Sequence, residues 1–156
     1  RNMLFDLRPI LLETRGLGPA LQAYVHRLIE TERFAVHFRT TRELPALSKQ
    51  ARSAVFAIVQ EAVGNVRKHA HARNVWLDIE CSDDSLQVTI RDDGKGFEPS
   101  EMPANYGLRD SMGMINMRER AAMIEGTFSV ESQVSEGTTV RLTVPLYPSE
   151  PAGSIA

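Results

Sequence analysis

Between Ala54 and Ala70 the sequence runs AVFAIVQEAVGNVRKHA, with apolar residues at Val55, Ile58, Val59, Ala62 and Val66. At roughly 100° per residue these five side chains share one arc, which predicts a helix with one face in a core. Ser48 stands where it can cap that helix. Glu61, Asn65 and Lys68 fall together on a stripe at the edge of the arc. Glu61 and Asn65 are neighbours one turn apart. The rim of the core therefore carries a carboxylate, a neutral oxygen and a cation. That trio suits a magnesium-bound phosphate chain, because Mg²⁺ takes oxygen ligands and keeps several waters. A solvated helix edge with a loose ion pair fits the same residues.

The flanking sequence supplies the layers that such a helix needs. Gly16 and Gly18 punctuate the chain and mark a boundary. Pro19 suits the first turn of a helix with Leu21, Val25, Leu28 and Ile29 on its apolar stripe. Ala35 to Thr40 alternates as a strand, with Val36 and Phe38 on one face. Val75, Leu77, Ile79 and Cys81 form one alternating run, with Cys81 read as a buried small residue. Leu86, Val88 and Ile90 form the next, and Ser82 to Ser85 turns between them, so the pair predicts a hairpin. The return strand ends at Arg91 and delivers Asp92 to its tip. Phe97 to Met112 holds Pro99, Pro103, Asn105 and Gly107 without a sustained period. A loop of that length is usually functional or mobile, and it reads as a lid. Met114, Met117, Ala121 and Ile124 space as a helix that Gly126 stops. Phe128, Val130 and Ser132 share one strand face; Val140, Leu142 and Val144 share the next. The expected fold is a two-layer α/β sandwich, with a mixed, mostly antiparallel sheet and helices on one face. The tail from Pro148 to Ala156 is expected to be disordered.

A chain of 156 residues suits one domain. Its net charge of -2 gives no basic field for nucleic acid, so an anionic ligand would need a metal and a few placed cations. The single cysteine excludes an internal disulfide and a cysteine-based zinc site. His69 and His71 are spaced for a metal, but no further ligands accompany them. No apolar run in this sequence reaches membrane-spanning length, and it shows no signal-peptide pattern. No membrane contact by this piece is expected. A start at Arg1 suggests a piece of a longer protein. No GxxxxGK[ST] loop occurs, which excludes a P-loop nucleotide site.

Four stretches in order carry a resemblance: Gln60 to Ala70 (QEAVGNVRKHA), Asp92 to Phe97 (DDGKGF), Gly113 to Ala121 (GMINMRERA) and Gly137 to Leu146 (GTTVRLTVPL). Together they resemble the asparagine box and three glycine boxes of the histidine-kinase ATPase domain, which belongs with the gyrase-type ATPases. The variant is most similar to sensor kinases that signal to NarL-type response regulators. The resemblance covers roughly Leu17 to Leu146. It implies a Bergerat-type ATP-binding fold, with ATP and Mg²⁺ as cofactors, for residues 17–147. Residues 1–16 would be the end of a dimerisation helix and its linker. The implied activity is transfer of the γ-phosphoryl group of ATP to a histidine on the parent's dimerisation domain. The implied partners are that domain and a NarL-type (LuxR-type) regulator, with no direct nucleic acid. The implied location is cytoplasmic, the parent being free or membrane-anchored. An anti-sigma-factor-type serine kinase and an inactive ATP-binding interaction module are the alternatives.

The resemblance also assigns roles. Asp92 would accept from the adenine amino group, and Gly94 and Gly96 would let the backbone approach the ligand. Asn65 would be a magnesium ligand, with Glu61 beside the metal in orientation or metal-water contact. Lys68 and His69 match positions that meet phosphate or ribose, although His69 suits packing equally. Gly113 would begin a helix whose free N–H groups bind the triphosphate. Met114 reads as core and Asn116 as a phosphate neighbour. Lys95, Arg109 and Arg118 are candidate phosphate cations. Thr138 and Thr139 would support the adenine pocket. None of the four histidines, His26, His37, His69 and His71, is followed by the Asp or Glu that marks a phosphoacceptor in this family.

Overall fold

The computed structural model describes residues 7–40, 44–98 and 108–146. The middle of the expected lid, the first six residues and the tail from Pro148 lie outside the described residues. Helix α1 spans Leu7–Arg15, α2 Leu17–Thr31, and strand β1 Ala35–Thr40. Helix α3 spans Lys49–Asn65 and runs into a π-helical turn, Val66–Ala70. Strands β2 (Asn74–Cys81) and β3 (Ser85–Asp92) follow, then helix α4 (Leu108–Met123). Strands β4 (Thr127–Gln133) and β5 (Gly137–Pro145) complete the set.

The five strands form one sheet in the order β1-β2-β3-β5-β4. Only β1 and β2 run parallel; the remaining pairs are antiparallel. Parallel neighbours need a crossover, and α3 with its π turn supplies it. The hairpin β2-β3 forms as its alternation predicts, with Leu77 opposite Ile90 and Ile79 opposite Val88. Val75, Leu77, Ile79, Leu86, Val88, Ile90, Val140, Leu142 and Val144 are buried in one cluster with residues of α2, α3 and α4. The helices thus cover one face of the sheet. The alternate residues form an open face, where Trp76 is flanked by the stacked His37 ring at 5.3 Å and the Arg91 guanidinium at 3.8 Å.

Helix α3 is the centre of the helical layer. Ser48 caps it, its hydroxyl accepting from the Ala51 N–H at 3.0 Å. Its buried set is wider than one arc and adds Phe56 and Val63. The reason is a second neighbour: Phe56 meets Tyr24 of α2 edge-on at 5.7 Å, a contact worth about 1 kcal/mol beyond burial. The single helix expected through Ala70 is corrected by the π turn, which ends at His71 in the left-handed region (φ 53). Helix α4 ends at Met123, and Glu125 rather than Gly126 takes the left-handed conformation (φ 60). Cys81 is half-buried, not buried, because it sits at the strand end with its thiol toward the Ser82 carbonyl.

Candidate functional site: a cavity between the central strand and the central helix

Strand β3 alternates Val88, Ile90, Asp92 toward the helices, so its last inward position is a carboxylate. Asp92 is 4% exposed and pairs with Val75 on one side and Thr138 on the other. One carboxylate oxygen accepts from the Gly94 N–H at 2.8 Å. Burial pushes the Asp92 carboxyl above its ordinary value. The Gly94 N–H opposes that rise, the charge of Asp93 adds to it, and the Thr138 N–H and Arg91 lower it.

The next residue behaves in the opposite way. Asp93 is exposed, and one of its oxygens accepts from the N–H groups of Arg73 and Asn74 at 2.9 Å each. Its other oxygen accepts from the Asn74 side-chain amide at 2.9 Å. These bonds hold the Asp93 carboxyl below its ordinary value, the Asn74 side chain most of all. They tie the start of β2 to the end of β3. After Asp93 the chain passes against the end of the π turn. The Lys95 N–H donates to the Ala70 carbonyl at 2.7 Å, and a side chain at Gly94 would collide with that carbonyl. Gly96 turns with φ 63 beside the Gln133 carbonyl, where an L side chain is both strained and obstructed.

Ala62, Asn65, Val66, His69 and Ala70 form the opposite wall. Phe97, Met114, Ile90 and Val140 add apolar surface, and Asp92, Gly96 and Thr138 complete the lining. Asn65 is 9% exposed, and neither its carbonyl oxygen nor its amide nitrogen has a hydrogen-bond partner among the described residues. Leaving a buried amide unpaired costs about 1–3 kcal/mol. The lining combines apolar side chains with a few convergent polar groups, the composition of a small-molecule site, around an open space of about 20 Å³ that would have to widen to admit one.

The structure brings Asn65, His69, Asp92, Gly96, Met114 and Thr138 to this cavity, with Gly94 in the adjoining turn. It does not bring the others. Thr139 alternates to the open face, opposite Arg91 and Glu131. Lys68 is exposed and off the lining, since the cavity stripe of the helix is Ala62, Asn65, Val66 and His69. Lys95 and Asn116 are exposed and also off the lining. Arg118 lies over the Phe128 ring at 5.2 Å and reaches the Phe128 carbonyl. The side chain of Arg109 lies outside the described residues.

Two expectations about α4 are corrected. The helix begins at Leu108, so Gly113 is inside it, and residues 108–112 of the expected lid are helical. A helix leaves only its first four N–H groups without internal partners, and Gly113 is past them. No Gly or Pro breaks the run from Leu108 to Met112. A side chain at Gly113 would meet the Glu61 carboxylate, the flexible end of a half-buried side chain, which would have to shift. Glu61 is half-buried at the rim, against α4 rather than in the cavity lining.

Sequence reasoning did not single out Ser132, whose hydroxyl joins three segments beneath the cavity. Its one signal was a hydroxyl at an inward strand position. The brace made by Asp93 was also not singled out. Among the described residues no group of three or more His, Cys, Asp or Glu side chains is placed to hold a metal. No described helix is long and apolar enough to cross a membrane.

The family of histidine kinase-, DNA gyrase B- and HSP90-like ATPases matches residues 50–148. The chain belongs to that family. An uncharacterized sensor-like histidine kinase of Chloroflexus aurantiacus is 36% identical over 149 residues, which are 94% of this chain and 25% of that protein. The signal transduction histidine-protein kinase/phosphatase DegS of Brevibacillus brevis is 33% identical over 150 residues, 96% of this chain and 38% of the relative. The chain therefore spans well under half the length of these relatives. A histidine kinase domain from the Erythrobacter litoralis blue-light activated histidine kinase superposes with a TM-score of 0.68 at 21% identity. That likeness covers 83% of this chain and 61% of the other, and it concerns the fold. The mixed five-stranded sheet with helices on one face is the α+β fold of the histidine-kinase ATPase domains.

Proposed function

We propose that this chain is the ATP-binding catalytic domain of a two-component sensor histidine kinase, passing the γ-phosphoryl group to a histidine on a dimerisation domain. The observation that carries the reading is one cavity lined by a buried carboxylate, Asp92, and by a buried amide without a partner, Asn65. Asp92 would accept from the exocyclic amine of adenine. Ile90, Val140, Met114 and Phe97 would enclose the base, and Thr138 would stand beside it.

The orphaned oxygen of Asn65 fits a magnesium ion, which is commonly held by one or two protein groups together with phosphate and water. Glu61 at the rim would orient water or phosphate there. His69 faces the same space, while Lys68 is left for the solvent side of the phosphates. The metal would supply charge neutralisation. The residues of this chain position the nucleotide, and positioning with charge stabilisation is most of what phosphoryl transfer requires. In the transfer the bond from γ-phosphorus to the bridging oxygen breaks, a phosphorus–nitrogen bond forms on the acceptor imidazole, and ADP leaves.

Residues 1–16 fit the end of the dimerisation helix and 17–147 the catalytic domain. The partners would be the parent's own dimerisation domain and a NarL-type regulator, on the cytoplasmic side. The test is incubation with γ-labelled Mg-ATP, alone and with a separately made acceptor domain from the same parent. The acceptor domain should become labelled and this chain should not. Stoichiometric label on His26, His37, His69 or His71 would overturn the assignment.

A further inference from the structure

The Ser132 hydroxyl makes three contacts: with the Phe97 N–H at 2.9 Å, the Gly137 carbonyl at 3.1 Å and the Thr138 hydroxyl at 2.8 Å. A hydroxyl has one proton to give and two lone pairs to accept with. The Phe97 N–H can only donate, and the Gly137 carbonyl can only accept. Only one assignment makes all three contacts hydrogen bonds. Ser132 gives its proton to Gly137, and Thr138 gives its own proton to Ser132. The Thr138 hydroxyl then has lone pairs left and no proton. Thr138 lines the cavity and is the register partner of Asp92, which as a carboxylate also only accepts.

We propose that Ser132 is a specificity-positioning residue: it holds the Thr138 hydroxyl as an acceptor, so that this end of the cavity selects a 6-amino over a 6-oxo purine. The inference rests on the reading above that the cavity takes the base of ATP. A 6-amino group brings donors to a site that offers acceptors. A 6-oxo group sets a carbonyl against them, and a buried polar group left unpaired is what gives a site strong discrimination. A freed Thr138 hydroxyl could turn and donate to that carbonyl. Ser132 forbids the turn without touching the nucleotide.

The experiment is calorimetric titration of the full chain with ATP and with ITP, which carries the 6-oxo base. The wild type should prefer ATP. Ser132→Ala should narrow that preference by about three- to tenfold, the worth of one hydrogen bond, and Ser132→Thr should restore it. Thr138→Val should narrow it too, and adding Ser132→Ala to Thr138→Val should change it no further. A preference unchanged in Ser132→Ala overturns the proposal. So does equal narrowing by Ser132→Ala in the Thr138→Val background, which would mark Ser132 as a brace for the Phe97 loop. Should Ser132→Ala not fold, a wild-type preference in Thr138→Val overturns it alone. A wild type that binds no ATP overturns the functional reading itself, a result distinct from all of these.

Discussion

On the sheet wall of the cavity nearly every polar group already has a protein partner; on the helix wall the central amide has none. Asp92 accepts from Gly94, Asp93 spans two strands, and Ser132 satisfies three contacts. Across the space Asn65 is buried with both amide atoms unpaired among the described residues. The difference separates two tasks. A rigid base is best recognised by groups fixed before it arrives, since ordering them on binding costs free energy. A metal and phosphates bring their own charge and can complete a group left open for them.

The largest expected effect comes from breaking the fixed wall at its centre. Asp92→Ala should weaken ATP binding at least tenfold, the loss of one charge-assisted hydrogen bond in a buried site. Titration of both proteins with ATP checks it. Asp92→Asn should lose binding as well but raise Tm at neutral pH. The sign follows from burial: the folded-state carboxyl lies above the ordinary 3.8, so the folded form holds its proton more tightly than the unfolded one. Stability then falls as pH rises through the window above 3.8, and the ionised group is a cost at neutral pH. A lower Tm for Asp92→Asn would mean that its hydrogen bonds outweigh its desolvation.

Next in size is the open wall. Asn65→Ala should reduce the dependence of ATP affinity on magnesium while leaving metal-free affinity within about threefold, because the amide oxygen is one ligand among several. Paired titrations with magnesium and with a chelator measure both. If the magnesium dependence survives unchanged, Asn65 serves the nucleotide or the fold, and the contrast between the walls is lost.

Much of the sheet wall was legible in the sequence. Period-two alternation alone puts Asp92 inward after Val88 and Ile90, and Thr138 inward before Val140. The same alternation sends Thr139 outward, so naming both threonines let the motif override the period. Gly113 misled for a different reason. A glycine ahead of Met114 and Met117 looks like a helix start, but it lies inside α4, facing the Glu61 carboxylate on another helix. Long-range contacts of that kind leave no local pattern. Ser132 was hidden too, since its partners are the Phe97 loop, far away in sequence, and Gly137 and Thr138 at the start of β5. The π turn after Asn65 has no sequence signal that we can name.

The smallest effect belongs to the brace behind the fixed wall. Asp93→Ala removes an acceptor from the N–H groups of Arg73 and Asn74 and from the Asn74 side chain. Asp93 is exposed, so water can replace these bonds in part, and the loss should be about 1 kcal/mol. Its pH dependence is the telling measurement. The folded-state carboxyl lies below 3.8, first through the Asn74 side chain and then through the backbone N–H groups of Asn74 and Arg73. The unfolded form therefore binds more protons in the window below 3.8. The stabilisation is complete above that value and is lost as pH falls through the folded-state pKa. This is the opposite sign to Asp92, one residue earlier on the same strand. Thermal melts of wild type and Asp93→Ala, taken from about pH 7 down to about pH 3, should differ at neutral pH and converge toward the acid end. Asp93→Asn keeps one acceptor oxygen for the two backbone N–H groups but loses the bond from the Asn74 amide, so it should fall between them. A gap that stays constant down to acid pH would show that the Asp93 charge does not hold the two strands together, and that the sheet wall is fixed by its backbone pairing alone.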